Sequence, residues 1–221
     1  RWALVGRSGT DYMLTWLAAQ LAGVEVALLN PEYPDDLLAA MLEDLQPVAV
    51  AWLDRAAVAM PQSTATQVDL RSCWSECRAQ DTPASTANLE ELDGPACGAD
   101  DIASFIHTSG TTGRAKGVLH SHNTLNFVLR RHMEYWGQKE GDTMLMASPI
   151  THITGFGAGM ESAFICGLRT LFMERWEAAA GVQLIDRERA TVSIGATPFL
   201  HELLAEAERQ GSRLPSLRIY G

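Results

Sequence analysis

Three apolar runs separated by two amphipathic stretches restrict the fold more than any other feature of this sequence. Trp2-Ala3-Leu4-Val5 reads as a strand, followed by the turn Gly6-Arg7-Ser8-Gly9. Thr10 or Asp11 caps a helix to about Ala22, with Met13, Leu14, Leu17 and Leu21 on one face, and Gly23 stops it. Val24 to Leu29 is a second strand, and Asn30-Pro31-Glu32-Tyr33-Pro34 the loop after it. Asp35 caps a helix striped by Leu37, Leu38, Met41, Leu42 and Leu45, which Pro47 ends. Val48-Ala49-Val50-Ala51 is the third strand. Strands alternating with helices over short loops predict an α/β fold on a parallel sheet.

The next informative stretch follows a short apolar strand, Ile102-Ala103-Ser104-Phe105-Ile106. It runs His107-Thr108-Ser109-Gly110-Thr111-Thr112-Gly113-Arg114-Ala115-Lys116-Gly117-Val118. Glycines let a backbone turn sharply and bring its N–H groups close to a ligand, and a concave array of N–H groups suits anions. Four hydroxyls add neutral donors and Lys116 adds a mobile positive charge, so the parts suit a polyphosphate. A plain polar turn explains one glycine and two hydroxyls at most. The Walker pattern G-x-x-x-x-G-K-[ST], counted from Gly110, fails at Ala115 and at Gly117.

The stretch resembles the phosphate loop of adenylate-forming enzymes, which include acyl-CoA synthetases, firefly luciferases and peptide-synthetase adenylation domains. The family form is Thr-Ser-Gly-Thr-Thr-Gly, one or two variable residues, a small residue or Pro, then Lys-Gly. Ala115 takes the proline slot, and His107 stands where an aromatic often precedes the threonine. The resemblance implies that Thr108, Ser109, Gly110, Thr111, Thr112, Gly113, Lys116 and Gly117 bind the phosphates of ATP. It also implies that Lys116 is catalytic.

Ser148-Pro149-Ile150-Thr151-His152-Ile153-Thr154-Gly155-Phe156-Gly157 is similar to the family's next motif: Pro, two variable residues, His, then a glycine-rich helix start. Alone, a histidine beside apolar residues is usually structural. In the family it borders the acyl pocket near the attacking carboxylate, which makes His152 a catalytic and substrate-binding candidate and Gly155 a substrate-binding one. The family's turn matching Gly195-Ala196-Thr197-Pro198 approaches the same pocket, and small residues there leave it roomy. Ordinary strand-to-helix turn chemistry accounts for Gly195 and Ala196 equally well.

Elsewhere the pattern is weaker. From Pro61 to Asp101 the chain reads as a solvated, acidic connector, with a partial strand near Val68 and a short helix from Ser72 to Arg78. A helix is expected from about Asn123 to Tyr135. Strands are expected at Thr143 to Ala147, Leu168 to Met173, Thr191 to Gly195 and Leu217 to Gly221. Further helices are expected from Glu177 to Glu188 and from Pro198, the latter striped by Phe199, Leu200, Leu203, Leu204 and Ala207. The polar stretch Gly137 to Asp142 reads as a hinge. The expected organisation is a lobe 1–137 with the phosphate loop, a linker 138–142 and a second lobe 143–221 bordering the acyl site. His120 and His122 read as turn and cap residues, with no carboxylate or cysteine cluster beside them to make a metal site.

A formal net charge of -10 argues against a nucleic-acid footprint and against adhesion to anionic membranes. No run approaches the roughly 20 apolar residues of a membrane span. Cys73, Cys77, Cys97 and Cys166 are scattered, and reduced cytoplasmic thiols are the default reading. Both ends are strand-like, so the chain is expected to be a two-lobed parallel-sheet fragment of the large N-terminal domain of a longer adenylate-forming enzyme.

The resemblance implies two reactions. A carboxylate attacks Mg2+-bound ATP to give acyl-adenylate and pyrophosphate, and a thiol, usually coenzyme A, then displaces AMP. Within the family, Ala147-Ser148-Pro149 through His152 and Gly195-Ala196-Thr197-Pro198-Phe199 look most like cyclohexanecarboxylate and related acyl- or aryl-CoA ligases. The Tyr-Gly-x-Thr-Glu loop, the ribose-binding Asp and the C-terminal catalytic Lys have no counterpart within residues 1–221. The isolated chain is therefore expected to bind ATP poorly. The alternatives are a non-catalytic nucleotide-binding or interaction module, and a peptide-synthetase adenylation domain with a carrier-protein acceptor.

Overall fold

The computed structural model describes residues 1–54, 64–79, 97–108 and 116–221, without the side chains of residues 72 and 77–79. It divides into two compact units, Arg1–His122 and Asn123–Gly221.

The first unit is built on a six-stranded sheet. Its strands are β1 (Trp2–Val5), β2 (Val26–Leu29), β3 (Ala49–Trp52), β4 (Thr66–Asp69), β5 (Ile102–Thr108) and β6 (Lys116–Ser121), in the spatial order β4-β3-β1-β2-β5-β6. Every pairing is parallel except β5 with β6. That antiparallel pair departs from the parallel expectation, because the seven residues between Thr108 and Lys116 are fewer than the dozen or more that a parallel crossover needs.

Helices α1 (Thr10–Leu21), α2 (Asp35–Leu45) and α3 (Leu70–Ala79) accompany the sheet. Alternate strand residues face opposite sides. Ala3, Val5, Ala27, Leu29, Val50 and Trp52 form one core with Leu38, Met41, Leu42 and Leu45 of α2. The α2 stripe is as expected apart from Leu37, which is exposed.

Helix α1 differs from the expectation. It buries Tyr12, Trp16 and Ala19, while Leu14 and Leu21 are exposed. The two aromatics carry polar atoms that find partners inside. The Tyr12 hydroxyl donates to the Leu4 carbonyl at 3.2 Å, and Trp16 Nε1 donates to Ser104 Oγ at 2.9 Å. Large rings with satisfied polar ends bury more surface than the leucines they displace.

The second unit carries α4 (His122–Trp136), which begins at the boundary, and β7 (Thr143–Met146). A π-helical segment, Thr154–Glu161, leads into α5 (Ser162–Cys166). Then come β8 (Arg169–Phe172), α6 (Ala178–Glu188), β9 (Val192–Ile194), α7 (Thr197–Gln210) and β10 (Ile219–Tyr220). Its sheet is parallel, in the order β10-β9-β7-β8.

Both faces are covered, which explains why these strands read as continuous apolar runs. Met144, Met146, Val192 and Ile194 pack with Leu129, Ala158 and Cys166 on one side. Leu145 packs with Val182, Ile185, Leu203 and Ala207 on the other. Leu204, expected in the α7 stripe, is exposed.

The units divide at His122/Asn123, ahead of α4, whereas the sequence places a linker at 138–142. Leu129 of α4 packs on β7, which ties the helix to the second sheet. Asp142 is buried and accepts from Lys139 N at 2.7 Å, from Thr191 Oγ1 at 2.9 Å and from Arg218 Nη2. The polar hinge is thus a clasp across the starts of β7, β9 and β10.

Candidate functional site

Strand β5 lies second from the edge of its sheet, between β2 and the edge strand β6, and ends at Thr108, whose Cα partner on β6 is Lys116. The Thr108 hydroxyl donates to the Lys116 carbonyl at 3.2 Å, closing the strand pair. The loop residues Ser109, Gly110, Thr111, Thr112 and Gly113 lie outside the described residues, as do Arg114 and Ala115. Thr108 and Lys116 are both exposed and flank that loop.

Gly117 owes its identity to its neighbour across the strand pair. A Cβ built on it would lie 1.7 Å from Phe105 Cζ. The Phe105 ring crosses the bare glycine, covering backbone that would otherwise be open. Its centroid is 5.0 Å from that of His107 and 5.0 Å from Arg1 Cζ, close enough for a cation–π contact with the guanidinium.

His107 is half-buried, and burial lowers its pKa from 6.5 to about 4 against a smaller opposing effect of Asp44. The imidazole is neutral at pH 7. Its Nδ1 is buried without a hydrogen-bond partner among the described residues.

The other candidates belong to the second unit and leave one edge of its sheet. Met146 of β7 and Ile194 of β9 are Cα partners in parallel strands. The chain beyond each therefore emerges at the carboxyl edge, where open α/β sheets bind ligands. Beyond Met146, His152 is exposed on a tight turn. Its N–H donates to the Pro149 carbonyl at 2.9 Å, and its carbonyl accepts from Phe156 N at 2.8 Å. Its Nδ1 accepts from Thr154 N at 3.2 Å, which in the neutral ring places the proton on Nε2.

Gly155 makes the turn possible. A Cβ there would lie 2.1 Å from the Pro149 carbonyl oxygen and 2.5 Å from that of Ser148. Beyond Ile194, Gly195 donates to the Gly221 carbonyl at 2.9 Å. A Cβ on Gly195 would meet the Phe199 ring at 3.0 Å and the Tyr220 hydroxyl at 3.2 Å. Ala196, exposed, accepts from that hydroxyl at 3.4 Å. The wall beside Gly195 and Ala196 is thus aromatic, and Trp176 continues it with a ring centroid 5.4 Å from Phe199.

His120 departs from the turn reading. It lies within β6, and burial lowers its pKa; His122 opens α4. Among the described residues no three His, Cys, Asp or Glu side chains converge to hold a metal. Also among them, no helix is long and apolar enough to cross a membrane.

Sequence reasoning missed Glu161. It is 4% exposed, and its Oε2 has no hydrogen-bond partner among the described residues. Burial raises its pKa from 4.5 to about 7. The available signal was a lone carboxylate inside the apolar run from Gly155 to Cys166.

Comparison with known proteins adds relatives. The model of the AMP-binding enzyme family matches residues 1–221. The medium-chain fatty-acid–CoA ligase of Escherichia coli is 33% identical over 121 residues, which are 55% of this chain and 21% of that protein. The 4-coumarate–CoA ligase 1 of Oryza sativa subsp. japonica is 26% identical over 232 residues, 96% of this chain and 40% of that protein. The o-succinylbenzoate CoA synthetase of Bacillus subtilis, solved with its acyl-adenylate intermediate, superposes with a TM-score of 0.82 at 22% identity. That match covers 99% of this chain and 43% of the synthetase. The chain thus spans less than half the length of these relatives.

Proposed function

Because this chain belongs to the AMP-binding enzyme family, we propose that a protein carrying it activates a carboxylic acid with ATP and passes the acyl group to coenzyme A. The observation that supports this most is the closed strand pair at Thr108 and Lys116, which flanks a loop of glycines and hydroxyls. The first step forms a bond from the acid's carboxylate oxygen to the α-phosphorus of ATP and expels pyrophosphate. The second breaks the acyl–phosphate bond as a thiol attacks, releasing AMP.

Phosphoryl and nucleotidyl transfers are accelerated mainly by positioning and by neutralising charge on phosphate oxygens. In this reading Thr108, Ser109 to Gly113 and Gly117 supply donors for the β- and γ-phosphates, and Lys116 supplies positive charge. Gly117 also lets the Phe105 ring brace the strand that carries Lys116. His152, with its proton on Nε2, offers one hydrogen bond to a carboxylate at the sheet's carboxyl edge. The Gly155 turn holds that imidazole in place. Gly195 and Ala196, walled by Phe199 and Tyr220, line the acyl group.

The described residues hold no cluster suited to Mg2+, so no step is assigned to the metal, which would arrive bound to the nucleotide. A cytoplasmic location belongs to the same reading.

The test is ATP–pyrophosphate exchange with a panel of aliphatic and aromatic acids, in the protein carrying this chain. A hydrogen bond to a charged group contributes about 1.5–3 kcal/mol, so Lys116→Ala is expected to lower exchange about ten- to a hundredfold. Unchanged exchange removes the loop from the mechanism. Exchange with no acid at all favours a non-catalytic module.

A further inference from the structure

The residue the reaction leaves unused is Glu161, and its surroundings are unusual. It ends a π-helical segment, in which the Ser162 N–H reaches back to the Gly157 carbonyl. Such wide turns are rare and leave carbonyls short of helical partners. Here side-chain hydroxyls fill the gap. Ser162 Oγ donates to the Ala158 carbonyl, and the Gly159 carbonyl accepts from Thr170 Oγ1 at 2.8 Å. Gly159 sits tight on the sheet, since a Cβ there would meet Met146 at 2.8 Å and Phe172 at 3.0 Å. The segment is held by close packing and two hydroxyls, with a carboxyl buried at its end.

The elements around it bring little charge. Strand β7 has no titratable side chain. Strand β8 has Arg169, exposed and bonded to Glu188 at 2.6 Å. Helix α5 has the Cys166 thiol, itself pushed up by burial. Helix α4, whose Leu129 lies 3.8 Å from a Cβ built on Gly157, brings Arg130, bonded to Asn126, and His132, stacked on Trp136. The entry turn brings His152, which is exposed.

We propose that Glu161 is a proton-linked positioning residue, whose neutral carboxyl keeps the segment Thr154–Glu161 closed on its sheet and whose ionisation opens that segment and the His152 turn. A buried carboxylate without a partner must regain water, and the segment that carries it is the one that moves. The sign follows from linkage: the open form ionises near 4.5 and the closed form near 7, so opening grows as pH rises between them and levels off above. That this turn serves a carboxylic acid rests on the functional reading above; the opening itself does not.

Amide hydrogen exchange of residues 154–162 in the intact chain, corrected for the chemical exchange rate, tests the proposal. From about pH 5 to about pH 8.5 the opening constant is expected to rise on the order of a hundredfold, and to stay flat in Glu161→Gln. Glu161→Met serves as a second uncharged variant should the amide disturb folding. An equal rise in wild type and variants, or no rise in wild type, overturns the proposal. In the protein carrying this chain, KM for the acid is expected to rise from about pH 4.5 to about pH 7 in wild type and level off above, and not to rise in Glu161→Gln. The expected exchange with no change in KM would overturn the placement of the acid at this turn and leave the switch standing.

Discussion

Replacing Gly117 by alanine probes how the strand beside the proposed phosphate loop is held. The added methyl would fall 1.7 Å from Phe105 Cζ and 1.8 Å from Cε1, inside the ring's own volume. The ring cannot stay where it is. Moving it aside brings it against the His107 imidazole or off the Arg1 guanidinium, each 5.0 Å from its centroid. Overpacking of this kind costs about 1–3 kcal/mol, and a ring turned out to solvent forfeits a similar amount of burial. We expect Gly117→Ala to destabilise the first unit by about 2 kcal/mol. Because the chain has two units, one melting curve does not isolate the effect. Exchange of amides in β1 and β5 under mild denaturant reports on the first unit alone. Phe105→Leu removes the atoms that collide, so Phe105→Leu with Gly117→Ala should be less destabilised than the sum of the single variants. Additive effects, or a Gly117→Ala variant as stable as wild type, would refute the steric account of this glycine.

Three further outcomes are expected. Gly155→Ala sets a methyl 2.1 Å from a backbone oxygen that no rotamer change can relieve. It should cost the second unit about 3 kcal/mol, read from amide exchange in β7 and β9. His152→Ala should raise KM for the acid on the order of tenfold, the worth of one hydrogen bond, and leave KM for ATP unchanged; a rise for ATP alone contradicts the assignment. His107 takes up its proton near pH 4 when folded and near 6.5 when unfolded. The first unit should therefore lose stability as pH falls from about 6.5 to about 4 and lose no more from this group below that. His107→Phe should flatten that part of the stability–pH curve, and an unchanged curve would show that another group carries it.

The α/β class was legible because buried parallel strands impose continuous apolar runs, and Val24 to Leu29, Val48 to Ala51 and Thr143 to Ala147 each fall on or beside a strand. The α2 stripe was legible for the same kind of reason, since its leucines repeat at helical spacing. The loop proposed to hold phosphate and the Pro149–His152–Gly155 run stood out as motifs, and at Gly155 the reason is that a close backbone approach admits few residue types. The clash awaiting any Cβ on Gly155 is that constraint in coordinates.

Other features depended on contacts distant in sequence. Which face α1 buries was decided by the Leu4 carbonyl and the Ser104 hydroxyl, which gave Tyr12 and Trp16 partners that periodicity cannot register. The antiparallel turn of β6 depended on pairing with β5, and local propensity does not encode strand direction. Asp142 looked like a polar hinge residue until Thr191 and Arg218, far along the chain, were folded against it. The charge state of Glu161 was decided the same way. The sequence shows a glutamate, but only the packed fold around it takes away the water that would have kept it ionised.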